Sequence, residues 1–241
     1  MYNSGRFPWR GGIDIVTKTR IQIPAEPGET VSGVLTIPEN LGEDRPAVIV
    51  AHGAGNDMTN PLIAAFADGL TRAGHPTLRF NFPYKEKGKK APDRQDVLER
   101  TWMAAYEYFQ EKTESISGGI VGAGKSMGGR IASQLASEGR LPVNRLIYLG
   151  YPLHPPGKKD RLRDAHLYLI SIPMLFFAGT RDSLCDLDIL RSVLSDIAAP
   201  WELEIIEGGD HSFKTPKSSG LNPELVYDHI VQKSIAWMAA E

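Results

Sequence analysis

The chain has 241 residues, and its 27 Lys and Arg against 29 Asp and Glu leave a formal net charge of −2. That length is ample for a large core, and the near-neutral balance gives no global basic character to suggest nucleic acid. One cysteine, Cys185, excludes an intramolecular disulfide and fits a reducing compartment.

Residues 1–12 are polar and Gly-rich and read as an arm lying on a single domain that spans 1–241. They lack the apolar h-region of a secretory signal, and no run approaches membrane-spanning length, so the expectation is a soluble cytoplasmic protein without membrane partners. Ile13 to Ile23 alternates in part and predicts a strand; Glu29 to Ile37 predicts the next, and the pair reads as an antiparallel hairpin at a sheet edge. Pro46 to Ala51 is continuously apolar, as a central strand buried on both faces should be. The loop from His52 to Asp57 follows, then a helical pattern from Pro61 to Ala73, a strand over Pro76 to Phe82 and a long helix from Asp93 to Lys112.

The next stretch, Ile120-Val-Gly-Ala-Gly124-Lys-Ser126-Met-Gly128-Gly129-Arg130, organises the chain. An apolar strand, Gly119 to Ala123, ends at a glycine; a serine follows, then two more glycines and a helix from Ser126 to Glu138. Gly124-x-Ser126-x-Gly128 is the nucleophile-elbow pattern. The serine must occupy a very tight strand-to-helix turn so that its Oγ points out of the sheet, and only glycine fits two residues to either side. The helix N-terminus behind Ser126 offers free N–H groups to a developing oxyanion.

The same residues, Gly119 to Ser126, also match G-x-x-x-x-G-K-[ST], a phosphate-binding loop. Against that reading, the apolar strand lies inside the supposed loop, residues 112–118 make a poor buried strand, and the strand Arg145 to Tyr151 ends without an acid. The elbow is the better reading.

Strands over Met174 to Ala178 and Glu202 to Ile206 and helices over Asp186 to Ala198 and Pro223 to Ala239 complete the pattern. Strands alternating with helices imply an α/β architecture, a mostly parallel sheet covered on both faces. A serine nucleophile needs a base held by an acid. Asp182 follows the penultimate strand and His211 the last, which is the chain order Ser, acid, His that the elbow demands. Asp186 and Asp188 compete with Asp182 but suit the first turn of a helix, and Asp210 adjoins the histidine too closely to reach its Nδ1. Asp182 could also form an Asx-turn or a helix cap. The oxyanion donors are assigned to the backbone N–H groups of Met127 and Ala54. His52 is read as orienting its loop.

The segment 152–166 stands where a lid would enter; it is short, so the site should be fairly open. Lys158, Lys159, Arg161 and Arg163 make it basic, either as a solvated loop or as a rim for anionic substrates. Tyr84 could line the pocket or simply pack. No cluster has metal-ligand spacing, and Gly122-x-Gly124-x-x-Met127 misses the third glycine of the dinucleotide fingerprint, so neither metal nor cofactor is expected.

With these residues in hand, the chain resembles the dienelactone-hydrolase-like branch of the α/β-hydrolases. More finely, it is similar to the hydrolase-like family of testis-expressed and NSL-complex-subunit proteins and their bacterial relatives. The likeness rests on Arg79-Phe-Asn-Phe-Pro-Tyr84, Gly124-Lys-Ser-Met-Gly-Gly-Arg130, Tyr151-Pro-Leu-His-Pro-Pro-Gly157, His166-Leu167, Gly179-Thr-Arg-Asp182 and Asp210-His-Ser-Phe213. It implies an α/β-hydrolase fold with a sheet of about eight strands, the set Ser126, Asp182 and His211, and His154 and His166 as structural or pocket residues. The activity read from these residues is cleavage of a small carboxylic ester or thioester, with a catalytically silent scaffold as the alternative. The partner implied is a small-molecule ester.

Overall fold

A computed structural model describes residues 16–26, 28–39, 44–114, 116–220 and 222–240; the expected arm at 1–12 and residues 13–15 of the first expected strand lie outside them. Chain alternation gives β1 (Val16–Glu26) and β2 (Glu29–Pro38), paired antiparallel with Ile21 opposite Gly33 and Ile23 opposite Val31. β3 (Ala47–Ala51) is buried along its whole length. α1 (Pro61–Arg72) begins where the Asn60 side chain accepts from the N–H groups of Leu62 and Ile63, with proline at the first helical turn, where its missing N–H costs nothing.

β4 (Thr77–Phe80) leads into a short α2 (Pro83–Glu86) and the long α3 (Gln95–Lys112). β5 (Ile120–Lys125) passes to α4 (Met127–Ser137) through Ser126 alone. β6 (Arg145–Leu149), β7 (Met174–Gly179), α5 (Leu187–Ser195), β8 (Trp201–Ile206) and α6 (Pro223–Ala239) complete the order.

The eight strands form one sheet in the order β1-β2-β4-β3-β5-β6-β7-β8. β2 runs antiparallel to both β1 and β4; every later pairing is parallel. The expected edge hairpin is therefore β1 and β2. Since β3 to β8 run in one direction, their carboxyl ends share one edge of the sheet, and the loops that leave them converge there.

Strand alternation divides the core into two layers. Ile49 and Ala51 of β3, Leu146 and Tyr148 of β6, and Met174 and Phe176 of β7 face one layer with α3, α4 and α5. Val48, Val50, Ile147, Leu149, Leu175 and Phe177 face the other, under α1 and α6. This is why the central strands read as unbroken apolar runs: both faces are covered.

One boundary and one short element differ instructively from the sequence expectation. β6 ends at Leu149, not Tyr151, because Gly150 turns the chain with φ +77. α2 was not foreseen: four residues are too few for a periodic signal, and Pro83 opens it.

Candidate active site

The elbow geometry follows from the glycines. Ser126 has φ 50 and ψ −115, a conformation that L-residues rarely adopt. A Cβ on Gly124 would lie 2.3 Å from the Gly129 nitrogen, and one on Gly128 would lie 2.6 Å from the His52 carbonyl oxygen. Strand, turn and helix therefore approach more closely than any side chain would allow. Residues 120–125 are extended strand, which leaves no phosphate-cradling loop in Gly119–Ser126.

Three loops at the carboxyl edge bring the expected set together. His211 Nε2 lies 2.8 Å from Ser126 Oγ, and His211 Nδ1 lies 2.7 Å from Asp182 Oδ2. With the carboxylate accepting from Nδ1–H, Nε2 is left free to accept the serine O–H. The Asp182 side chain is fully buried, whereas the imidazole keeps a small exposed edge. The second oxygen of Asp182 accepts from the Leu184 N–H at 2.8 Å. The Asx-turn weighed as an alternative role for Asp182 is thus present, and it aims the carboxylate at the imidazole.

The competing acids lie elsewhere. Asp186 caps α5, accepting from the N–H groups of Asp188 and Ile189, and also pairs with Lys159. Asp210 accepts from the N–H groups of Ser212 and Lys214, forming the turn that presents His211. Phe213 anchors that turn, fully buried, with φ 60. Gly150 makes room beneath it, since a Cβ there would meet the His211 carbonyl oxygen at 3.1 Å.

Of the two expected oxyanion donors, Met127 directly follows the serine and Ala54 follows Gly53, where a Cβ would lie 3.3 Å from the Ser126 Cβ. Met127 is the first residue of α4, so its N–H has no acceptor within the helix. The Ala54 N–H has no backbone acceptor among the described residues. The loop carrying Ala54 is braced from below. His52 is buried, its Nε2 accepts from the Phe82 N–H at 3.1 Å and its Nδ1 bonds the Gly53 carbonyl at 2.9 Å. Burial pushes the His52 pKa down to about 4, so the ring is neutral near pH 7. Arg79 donates to the Met58 carbonyl further along the same loop.

The remaining candidates each hydrogen-bond protein groups. Tyr84 is fully buried, its hydroxyl 3.4 Å from the carbonyls of Gly53 and Asn56, and burial pushes its pKa up to about 12. It therefore supports the Ala54 loop from behind. His154 is buried and accepts from the Asp186 N–H at 3.1 Å, at the back of a groove also lined by Arg181, Asp182 and Arg191. His166 bonds Ser133 Oγ at 2.7 Å and lies 3.1 Å from the Tyr151 hydroxyl. Neither histidine hydrogen-bonds Ser126, Asp182 or His211. In the basic segment 158–163, Lys159 pairs with Asp186 while Lys158, Arg161 and Arg163 are exposed.

One buried group in the site was not singled out as a site residue from the sequence. Lys125, adjacent to the serine, is 3% exposed, and its Nζ donates to the His211 carbonyl oxygen at 3.0 Å. Its sequence signals are the G-K-S match to a phosphate loop and its place in Gly124-Lys-Ser-Met-Gly-Gly-Arg130, and neither gives it a role. Trp102 on α3 is also buried here, its indole N–H donating to the Gly128 carbonyl at 3.0 Å.

The sheet order, the strained serine at the β5–α4 junction and the converging carboxyl-edge loops define an α/β-hydrolase fold. The family model described as "Alpha/beta hydrolase domain" matches residues 44–239, and the chain belongs to that family. A dienelactone hydrolase from Anabaena variabilis superposes with a TM-score of 0.69 at 19% identity, over 92% of this chain and 96% of that one. Est1E of Butyrivibrio proteoclasticus, in complex with ferulic acid, gives 0.73 at 17% identity, over 92% and 100%. Among curated proteins, a putative phosphoribosyl transferase of Mycobacterium tuberculosis is 27% identical over 204 residues, which cover 81% of this chain. The match spans 42% of that relative's length. No helix among the described residues is long and apolar enough to cross a membrane.

Proposed function

We propose that the protein is a serine hydrolase that cleaves a small carboxylic ester or thioester through an acyl-enzyme. Ser126 attacks the acyl carbon while His211 takes its proton; the tetrahedral oxyanion sits between the N–H groups of Met127 and Ala54. His211 then protonates the leaving group, and the ester of Ser126 is hydrolysed by a water that His211 deprotonates. Asp182 holds the imidazole in the required tautomer. The reading is carried by one observation, the imidazole of His211 bridging Ser126 Oγ and Asp182 Oδ2 at 2.8 and 2.7 Å.

The likeness to esterases and dienelactone hydrolases favours a small-molecule substrate, and the ferulic acid bound to Est1E is a reason to include a hydroxycinnamate ester in the test panel. The transferase name of the mycobacterial relative describes a chain of which this match covers less than half, so phosphoribosyl transfer is not carried over. The finer likeness to testis-expressed and NSL-complex-subunit proteins is a resemblance of motifs and adds no substrate.

The test is labelling with a fluorophosphonate probe, peptide mapping of the adduct, and an ester panel graded by acyl length. Label on Ser126, absent from Ser126→Ala and His211→Ala, is the expected result. A folded protein that never takes the label would favour a silent scaffold.

A further inference from the structure

Lys125 is a buried cation that the reaction above does not use. Its side chain passes under the Ala54 loop, where a Cβ on Gly53 would lie 3.7 Å from its Cγ. Its ammonium ends on the His211 carbonyl, and no carboxylate is in ion-pair contact with it among the described residues. The charged groups acting on it are Asp182, from the loop after β7, and Asp210, from the loop after β8; both favour the ammonium. Burial outweighs them and pulls the Lys125 pKa down to about 8. A net cost of this kind argues against a stabilising role, because an apolar side chain of similar length would fill the space without desolvating a charge.

We propose that Lys125 is a positioning residue: by donating to the His211 carbonyl it fixes the loop that carries the imidazole and so holds Nε2 on Ser126. This rests on the serine-hydrolase reading of the site. The elbow supplies the geometry. Lys125 is the last residue of β5 and is joined to Ser126 by one peptide bond. The serine and the anchor of its base thus move together, and the distance between nucleophile and base is set by one short rigid segment. Without the ammonium, the turn at Asp210–Phe213 is held by its own hydrogen bonds and by Phe213, but not to β5.

The experiment compares wild type with Lys125→Met and Lys125→Gln in three measurements. For Lys125→Met the expected result is a kcat lowered by about 10²-fold with KM nearly unchanged, the scale of loss that follows a misplaced catalytic group. At pH 7 its Tm should rise by roughly 2–4 °C or more, because a desolvated charge has been removed. The sign with pH is specific. Folded Lys125 gives up its proton at about 8 and the unfolded side chain near 10.5, so wild-type stability rises between those values. The Tm advantage of Lys125→Met should therefore be largest below pH 8 and shrink above it.

Amide exchange over residues 209–213 should quicken in Lys125→Met even as global stability rises. Lys125→Gln, which can retain a donor without the charge, should recover part of kcat. A lower Tm with kcat lost in step would make Lys125 a structural residue and overturn the proposal. Unchanged kcat and unchanged exchange would do the same. The exchange measurement needs no turnover: an unlabelled wild type would sink the hydrolase reading, whereas unaltered exchange at 209–213 would sink the role of Lys125 alone.

Discussion

The indole of Trp102 reaches from α3 to the carbonyl oxygen of Gly128, 3.0 Å away, and ties the long helix to the first turn of α4. That turn carries the Met127 N–H and starts directly after Ser126. Trp102→Phe removes the bond and leaves unfilled volume in a fully buried position. The expected cost is about 1–3 kcal/mol, with a Tm lowered by several degrees. Denaturant unfolding checks the stability, and fluorophosphonate labelling rates report whether the elbow has relaxed.

Ser126 is held at φ 50, where a Cβ is strained. Ser126→Ala should abolish turnover and keep that strain. Ser126→Gly should abolish turnover too, but fold more stably than Ser126→Ala by about 1 kcal/mol, despite the extra freedom glycine gains when unfolded. Parallel urea titrations of the two inactive variants decide it. Equal midpoints would place the strain elsewhere.

Asp182 and Asp186 separate cleanly by substitution. Asp182→Asn should lower kcat by roughly 10³–10⁴-fold, because an amide favours the wrong imidazole tautomer. Asp186→Asn preserves an N-cap acceptor and should leave activity and stability nearly unchanged, apart from the exposed pair with Lys159. The reverse pattern in steady-state kinetics would move the acid to Asp186.

Acid should unfold the protein through one buried and one half-buried histidine. Burial lowers the pKa of both His52 and His166 to about 4, below the ordinary value of 6.5. Between about pH 4 and 6.5 the unfolded chain binds protons that the folded chain refuses, so stability rises with pH across that window and levels off above it. Urea midpoints at pH 7, 5.5 and 4.5 should fall in that order. His166→Gln, which can still bond Ser133, should flatten part of the fall.

Cys185 is 2% exposed and its thiol is pushed up to about 12, first by burial and then by the nearby Asp182 and Asp186. In native protein it should resist alkylating reagents at pH 8 and react fully once unfolded. Rapid labelling of the folded chain would mean that the loop after β7 opens.

Much of this was legible in the sequence, and the reasons are local. The strands at 47–51, 120–125 and 174–179 are buried on both faces and so appear as apolar runs. Ser126 directly follows β5, and Asp182 and His211 lie in the loops that leave β7 and β8, where chain order gives their place. What escaped depends on contacts between distant segments. Nothing in the neighbourhood of His166 indicates that its partners are Ser133 and Tyr151. Lys125 stands in a G-K-S string, and its acceptor, the His211 carbonyl, comes from a loop distant in sequence. Tyr84 was open to both readings because its packing depends on α2, which is too short to announce itself.

Among the described residues β8 pairs only with β7, at the rim of the sheet. The imidazole therefore follows an edge strand with one neighbour, while the serine follows a strand flanked on both sides. A chain that had built its centre but not yet seated its last strand would carry a serine with no base beside it. Reactivity at Ser126 would then be acquired late in folding and lost first on warming, ahead of any change in bulk secondary structure.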